Sequence, residues 1–383
     1  MTGPARRPRE LGIPPDPSGG RLRRPVLVAG VVAATLLALR AAAPLVSPPR
    51  AAVVEAGSSR PAVAAPPPNR PAELAEATRA SLLLGGEDGL FRVDVDARTV
   101  RPIPLPGRRF GTDRGLVRRD RTVVAVHDGT AWMATVAPGD PATRLGPASY
   151  ALAGADPGRV WLVEETGDPD RWFRVREVEV NAPPGPPRGL ARGTLPLSRR
   201  PVAAVPGGLL LNVVGPGGGL AVWDPRTGRL RHRFDAHSPL TVVAVSGDAV
   251  AWVEATTLRL GDLAGGRARV VAAPSGSDGF APAGAFSPDG RLLAAVTNAG
   301  LATRPALALV RVDQGQAMRV EGSEGALADR CSPCLAWAPA GDWVFFNRLG
   351  PVWSIGAYRL GHPSAARVPL DVPGSFPPSL QTL

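Results

Sequence analysis

The stretch that decides the fold is residues 209–224, which read LLLNVVGPGGGLAVWD. The apolar run Leu209–Val214 has the length and β-rich composition of a buried strand, and the glycine-rich residues 215–219 turn the chain back into a second run. A further turn at Asp224–Gly228 separates that run from a third. This alternation of short apolar runs and tight turns predicts a small antiparallel sheet.

The same unit recurs from about residue 80 to the end of the 383-residue chain. Short strands in groups of four, repeated every 40–50 residues or so, are typical of a β-propeller, in which each sheet, or blade, packs against its neighbours. The sequence therefore predicts an all-β propeller with seven blades of four antiparallel strands, with six or eight blades as alternatives. The runs that correspond to second strands begin near Ser81, Thr122, Arg159, Leu209, Ala249, Arg291 and Trp343.

One unit carries a motif found in a known family. Residues 221–230 read AVWDPRTGRL and residues 234–238 read FDAHS. They resemble a blade of the WD-repeat proteins, with the Trp-Asp pair at the end of the third strand and the histidine between blades. The turn Phe286–Leu293 and its weaker copy Trp337–Asp342 also resemble first-to-second strand turns of WD-repeat and related bacterial periplasmic propellers. The structural blade-motif residues that this resemblance implies are Trp223, Asp224, His237, Phe286, Asp289, Gly290, Trp337 and Gly341.

The chain departs from the WD pattern in a way that affects how its blades would be held. Ala236 replaces the glycine before the histidine, and no other unit has a histidine at the equivalent position. The buried polar network of that family therefore cannot repeat from blade to blade, and we expect apolar packing to hold the blades together. The tail Leu370–Leu383 is expected to add an inner or outer strand to the first unit, which would close the ring and cover a sheet edge.

The sequence before the repeat predicts an export segment. Residues 1–24 form a basic tail, and residues 25–46 contain the apolar stretch Val26–Val46, long enough for a helix of about 31 Å that spans a bilayer. The arginines before this stretch are expected to keep the N-terminus in the cytoplasm and to place the propeller outside it, on the cell membrane. A cleaved signal peptide is the alternative.

Between the predicted anchor and the repeat, residues 47–79 are rich in proline and alanine. This composition predicts an extended, semi-rigid linker, and its end, Pro71–Ala77, is compatible with a short helix. All 19 aromatic residues lie at or after Phe91. Because aromatic side chains supply much of the buried area of cores, the propeller is expected to occupy residues 80–383.

The net charge of +11, from 44 basic and 33 acidic residues, says little about partners. The chain has no lysine, and residues 1–50 alone hold eight arginines against two acids, which leaves a net charge of +5 on the rest. That is a nearly balanced surface, without the aromatic-interleaved basic stripe of single-strand binders. We therefore expect no nucleic-acid partner.

Side chains that could perform chemistry are few. None of the four histidines lies in a metal-binding spacing, the acidic clusters lack the calcium-loop pattern, and no serine lies in a G-x-S-x-G motif. The pair Cys331 and Cys334 is expected to form a local disulfide outside the cytoplasm, with free thiols or redox activity as alternatives. We expect neither a metal nor a cofactor.

Two kinds of function fit these features. The preferred hypothesis is a non-catalytic platform that binds a protein partner outside the cytoplasm while tethered to the cell membrane. The alternative is a propeller enzyme acting on an extracytoplasmic small molecule or glycan, which would carry carboxylates or histidines around its central channel. An apolar, aromatic-rimmed loop face would favour the platform.

Overall fold

The computed structural model of the chain is built from β-strands. It describes residues 73–383 except 87–88, 107–115, 120–121, 137–140, 157, 168–171, 181–188, 216, 237, 299–303, 329–332, 350–352 and 371–378. The predicted basic tail, membrane anchor and most of the linker therefore lie outside the described residues. Within them, no helix has the length and apolar character needed to cross a bilayer.

In the described part of the chain, 28 strands form seven antiparallel sheets of four strands, which are the blades. In order from the first to the fourth position of each blade, blades 1 to 4 contain β28 (Ser379–Thr382), β1 (Ser81–Gly86), β2 (Gly89–Asp94) and β3 (Thr99–Ile103); β4 (Val117–Arg119), β5 (Thr122–His127), β6 (Thr130–Thr135) and β7 (Thr143–Pro147); β8 (Tyr150–Ala153), β9 (Arg159–Glu165), β10 (Trp172–Glu179) and β11 (Gly189–Pro196); β12 (Arg199–Val205), β13 (Gly208–Val213), β14 (Gly219–Trp223) and β15 (Leu230–Asp235). In the same order, blades 5 to 7 contain β16 (Leu240–Ser246), β17 (Ala249–Glu254), β18 (Thr257–Asp262) and β19 (Arg267–Val270); β20 (Phe280–Phe286), β21 (Leu292–Thr297), β22 (Leu307–Arg311) and β23 (Gln316–Arg319); β24 (Leu335–Trp337), β25 (Trp343–Leu349), β26 (Trp353–Arg359) and β27 (Ala366–Arg367).

The first strands of adjacent blades contact each other, as β16 contacts β20 and β24 contacts β28, so these strands form the inner ring of the propeller. The predicted seven-bladed propeller with four antiparallel strands per blade is confirmed. The predicted starts of the second strands are correct to within one residue. The two that differ are β13, which begins at Gly208, and β21, which begins at Leu292.

The core consists of apolar layers between adjacent blades. In β9, Leu162 packs into the layer between blades 2 and 3, whereas its neighbours Trp161 and Val163 pack into the layer between blades 3 and 4. Successive side chains of a strand point to opposite faces of the sheet, so one apolar run serves two interfaces. Seven such layers lie among the described residues, one for each pair of adjacent blades.

The ring is closed by the C-terminal residues. β28 pairs antiparallel with β1, with Thr382 opposite Leu82, and fills the first position of blade 1. Leu380 is fully buried in the layer between blades 7 and 1, and its backbone N–H donates a hydrogen bond to the carbonyl of Pro333 at 2.8 Å. The predicted strand from the tail is therefore present, and it is an inner strand.

The described segment that leads into β1 is extended. Glu73 forms a parallel β-bridge with Arg367 of blade 7, and the N–H of Leu74 donates to the carbonyl of Arg367 at 2.9 Å. The short helix expected at Pro71–Ala77 is wrong from residue 73 onward. Pairing with a neighbouring strand satisfies these backbone groups and prevents the i to i−4 bonds of a helix.

A carboxylate holds the last residues before β1. The Asp96 carboxylate accepts hydrogen bonds from the backbone N–H groups of Thr78 and Arg79, both at 2.7 Å, and from the Thr78 hydroxyl at 2.9 Å. Desolvation of Asp96 acts to raise its pKa, but the hydrogen bonds from Thr78 and Arg79 together outweigh it. The pKa of Asp96 therefore lies below its ordinary value, which stabilises the charged form in the folded protein.

Truncating the closing strand at its buried side chain should destabilise the whole propeller. We expect Leu380→Ala to lower the free energy of unfolding by about 2–5 kcal/mol, because it leaves a cavity at a fully buried position. Leu349→Ala, at a leucine that is 56% exposed, is the matched control and should change it by less than about 0.5 kcal/mol. Equal midpoints for the two variants in chemical denaturation would contradict the ring closure.

The Asp96 clamp predicts a dependence on pH. We expect Asp96→Asn to lower the free energy of unfolding by about 1 kcal/mol at neutral pH, a value reduced for solvent exposure. Because the folded-state pKa is depressed, the contribution is complete above about pH 4 and disappears as the pH falls through the folded-state pKa. Urea denaturation at several pH values measures this. Asp278→Asn, in an exposed link between blades, is the control, and a difference from wild type that persists in acid would exclude the clamp.

Candidate interaction face

The two ends of the propeller carry different connections, because neighbouring strands in each blade run antiparallel. One end, which we call the link face, carries the links between blades and the turns between second and third strands. The other end, which we call the opposite face, carries the turns between first and second strands and between third and fourth strands. The WD-like motif residues lie at or near turns of the opposite face.

Trp223 and Asp224 lie where the resemblance placed them, at the end of a third strand. The Asp224 carboxylate accepts hydrogen bonds from the N–H of Arg226 and the hydroxyl of Thr227, both at 2.8 Å. The hydrogen bonds from Thr227 and Arg226 hold the pKa of Asp224 below its ordinary value. Asp224 therefore orders its own turn at the surface, and no described contact joins it to another blade.

Trp223, by contrast, is a contact between blades. Its side chain is buried in the layer between blades 3 and 4. The ring lies over Gly193 of β11, where a Cβ atom would be only 2.4 Å from the nearest ring carbon. A side chain at residue 193 would therefore have to displace the tryptophan, so glycine is required for the close approach.

The turn between β20 and β21 is ordered in the same way as that of Asp224. The Ser287 hydroxyl donates to the Asp289 carboxylate at 2.6 Å, and this bond, followed by one from the N–H of Arg291, holds the pKa of Asp289 below its ordinary value. Gly290 takes φ of 70°, which favours glycine, and Phe286 is partly buried between blades 5 and 6.

The remaining predicted residues divide between packing and unknown placement. The Trp337 indole N–H donates to the carbonyl of Ala285 at 2.8 Å and so joins blades 7 and 6, and Gly341 takes φ of 77° in the following turn. His237 lies outside the described residues. Cys334 is buried and disulfide-bonded. Its predicted partner, Cys331, also lies outside the described residues, so that pairing stays a prediction.

The inner ring carries mainly small apolar and hydroxyl side chains. The exposed positions on its described side chains are Ala153, Arg200, Thr241 and Pro282. No aspartate, glutamate or histidine occurs in the seven first strands as the structure describes them. The described residues also contain no group of three or more acidic, histidine or cysteine side chains placed to hold a metal ion.

One tyrosine belongs to the inner ring. The Tyr150 hydroxyl donates to the carbonyl of Pro201 at 2.9 Å, and the Arg200 guanidinium lies over its ring, 5.7 Å from the centroid. Burial raises the pKa of Tyr150 despite the opposing charge of Arg200. The phenol is therefore neutral at physiological pH and joins blade 3 to blade 4, rather than acting as a base.

The link face carries the exposed apolar side chains of the propeller. The five large apolar side chains that are exposed among the described residues come from blades 3 to 7, one from each. All five lie at strand ends on the link face: they begin a third strand, end or follow a second strand, or lie at the end of a fourth strand. They are Trp172 (42% exposed), Val214 (65%), Val270 (55%), Met318 (58%) and Leu349 (56%).

Buried polar groups hold the links on this face in place. The Asn212 side-chain amide donates to the carbonyl of Leu240 at 2.9 Å. The Glu254 carboxylate accepts from the N–H of Ser238 at 3.2 Å and lies 2.9 Å from the Arg259 guanidinium. Both interactions fix the link between blades 4 and 5. Buried polar groups that are satisfied in this way give the link a defined conformation.

Comparisons with known proteins support the fold. No family model and no curated protein matches the sequence. A Bacteroides fragilis protein provisionally described as a 6-phosphogluconolactonase has a TM-score of 0.53 and 12% identity, over 81% of this chain and 100% of that chain.

Two further solved structures are similar. An oligogalacturonate lyase from Vibrio parahaemolyticus has a TM-score of 0.52 and 12% identity, over 73% of this chain and 83% of the lyase. A Lactobacillus plantarum protein has a TM-score of 0.52 and 15% identity, over 79% of this chain and 99% of that chain. Identities this low show a shared fold and carry no information about activity.

The roles of Trp223 and Asp224 can be separated by mutation. We expect Trp223→Ala to lower the free energy of unfolding by about 3–5 kcal/mol, because it removes a buried ring between two blades. Asp224→Ala should cost much less, since it removes hydrogen bonds within one exposed turn. Chemical denaturation of both variants measures the difference. Similar losses would indicate instead that Asp224 belongs to a buried network of the WD type.

Proposed function

We propose that this protein is a non-catalytic interaction platform, tethered to the cell membrane, which presents the link face of its propeller to a protein partner outside the cytoplasm. The observation that carries the proposal is the position of the exposed apolar side chains, all at one end of the ring. Exposed large apolar residues on an ordered surface are a common feature of protein-binding sites.

The order of the link face supports this proposal. Its links are held by side chains at the ends of second strands, as Asn212 and Glu254 hold the link before β16. A surface with a fixed conformation loses little entropy when a partner binds, so the apolar contacts contribute more fully to affinity. The opposite face is built of tight turns ordered by aspartates such as Asp224 and Asp289.

The inner ring favours a platform over an enzyme. A hydrolase or lyase of this architecture would need acid–base groups or metal ligands near its channel. The exposed positions in this ring are small, apolar or hydroxyl side chains and the guanidinium of Arg200, and Tyr150 is engaged in hydrogen bonding between blades. The structural likeness to a lyase at 12% identity concerns the fold alone.

The tether rests on the sequence. The apolar stretch Val26–Val46 follows a cluster of arginines and precedes the proline-rich linker at residues 47–79. Such an arrangement supports a single membrane span with the N-terminus in the cytoplasm. If the full chain is retained in the membrane fraction after alkaline washing, and its propeller is digested by protease added to cells stripped of their outer layers, the tether is supported. A soluble, shortened chain would contradict it.

The platform is tested by capture of a partner with matched variants. The full chain is cross-linked in membranes, and the cross-linked species are compared with those of Val214→Ser combined with Leu349→Ser. We expect at least a tenfold loss of one or more species, because both side chains lie exposed on the link face.

The control for this experiment alters the opposite face. Arg226 is exposed in a turn there, and Arg291 is 86% exposed in another, so Arg226→Ser combined with Arg291→Ser should leave capture unchanged. Denaturation midpoints of both double variants should match wild type. Capture that is insensitive to the link-face variant, or equally sensitive to both, would contradict the proposal.

A further inference from the structure

Blade 3 exposes part of its sheet beside blade 2. Its two outer strands, β10 and β11, are eight residues long, whereas the fourth strand of blade 2, β7, has five. A groove of about 470 Å³ lies along this face of blade 3 and reaches Pro147 at the end of β7. Its floor includes Leu162 and the backbone of Gly193. The groove lies between two blades, away from the inner ring.

Three arginines line the groove against one glutamate. Arg174 and Arg176 occupy alternate positions of β10 and therefore project from the same face of the sheet. Arg192 of β11 is directly opposite Arg176, and Glu164 of β9 is directly opposite Arg174. The Arg174 guanidinium and the Glu164 carboxylate are 4.0 Å apart, a weak pairing in water. The groove thus keeps a net charge of +2 from these four groups.

Arg176 is fixed in the wall of the groove. Its guanidinium donates a hydrogen bond to the carbonyl of Leu145 at 2.7 Å, and it packs so closely on Gly146 that a Cβ atom there would lie 2.6 Å from it. Burial lowers the pKa of Arg176, and the nearby charge of Glu164 opposes this. An arginine cannot lose its charge in this range, so the remaining donors favour an anionic ligand.

An exposed tryptophan continues the same row. Trp172 precedes Arg174 by two residues in β10, so the two side chains leave the sheet on the same face. Its side chain is 42% exposed at the link-face end of the groove. Tryptophan and arginine together are the residue types that contribute most to binding at protein interfaces, and in blade 3 they alternate along one extended strand.

We propose that this groove binds an extended acidic peptide segment with carboxylates at alternate positions. Residues two apart in an extended chain are separated by about 6.6 Å, which is also the spacing of Arg174 and Arg176 along β10. Carboxylates at that spacing pair with both guanidinium groups, and an apolar residue beyond them packs on Trp172. This inference rests on the proposed platform function and specifies the chemistry of the partner.

A pair of synthetic peptides tests the inference on the purified full chain. One fluorescein-labelled peptide carries glutamate at alternate positions with valine between, and its match carries glutamine instead. Fluorescence polarisation should show the glutamate peptide binding at least tenfold more tightly, with affinity that falls as salt is raised. Equal binding of the two peptides would overturn the inference.

Charge reversal locates the site. Arg174→Glu combined with Arg192→Glu changes two exposed side chains and should weaken binding of the glutamate peptide at least tenfold. Arg226→Glu combined with Arg229→Glu makes the same change in net charge on the opposite face and should alter the affinity less than twofold. Equal losses in the two double variants would show only general attraction to a basic protein and would overturn the assignment of the groove.

Two further outcomes separate this inference from the proposed function. An oligogalacturonate of equal charge that binds more tightly than the glutamate peptide would identify an anionic glycan as the ligand and overturn the peptide assignment. If partner capture depends on Val214 and Leu349 but is unchanged by the groove variant, and the peptide does not bind, the groove inference fails while the platform stands. Peptide binding that follows the arginines, without any captured partner, would support the groove and contradict the platform.

Discussion

The structure depends on the burial of each second strand on both of its faces. A strand such as β9, with Trp161 and Val163 on one side and Leu162 on the other, cannot be stable in an isolated sheet, because one apolar face would remain in water. Each blade therefore requires a neighbour on both sides, and a row of blades satisfies this only when it closes into a ring. β28 meets that requirement by completing blade 1 with residues from the opposite end of the propeller. The position of every surface feature follows from this closure.

Much of this architecture could be predicted from the sequence, because the constraint leaves a visible pattern. Strands buried on both faces appear as short, continuous apolar runs, so the starts of second strands such as β5 and β17 were predicted correctly, and the ring-closing role of the tail was anticipated. The extended pairing of Glu73 with Arg367 was missed, since a partner nearly three hundred residues away leaves no local signal. Alanine and glutamate favour a helix locally, and the tertiary pairing outweighs that preference.

The candidate binding surfaces were harder to predict for a related reason. Exposed residues such as Val214 and Leu349 have the same composition as core residues, and only the topology shows that they share one end of the ring. The arginine row was visible as the alternating segment WFRVREV at residues 172–178, but nothing in the sequence indicates that blade 2 leaves that face uncovered. The WD-like motif was informative about position, whereas Asp224 forms local hydrogen bonds in its turn instead of the buried network of that family.

The central claim, that mutual burial makes the seven blades one closed unit, is tested most directly by amide hydrogen exchange on the full chain, resolved by peptide. The account predicts that β1 and β28, where the ring is joined, exchange as slowly as the second strands β13 and β17 on the far side, and that all of them open together as denaturant is added. Fast exchange confined to β1 and β28, while blades 4 to 6 stay protected, would show an open row of sheets and contradict the closed ring.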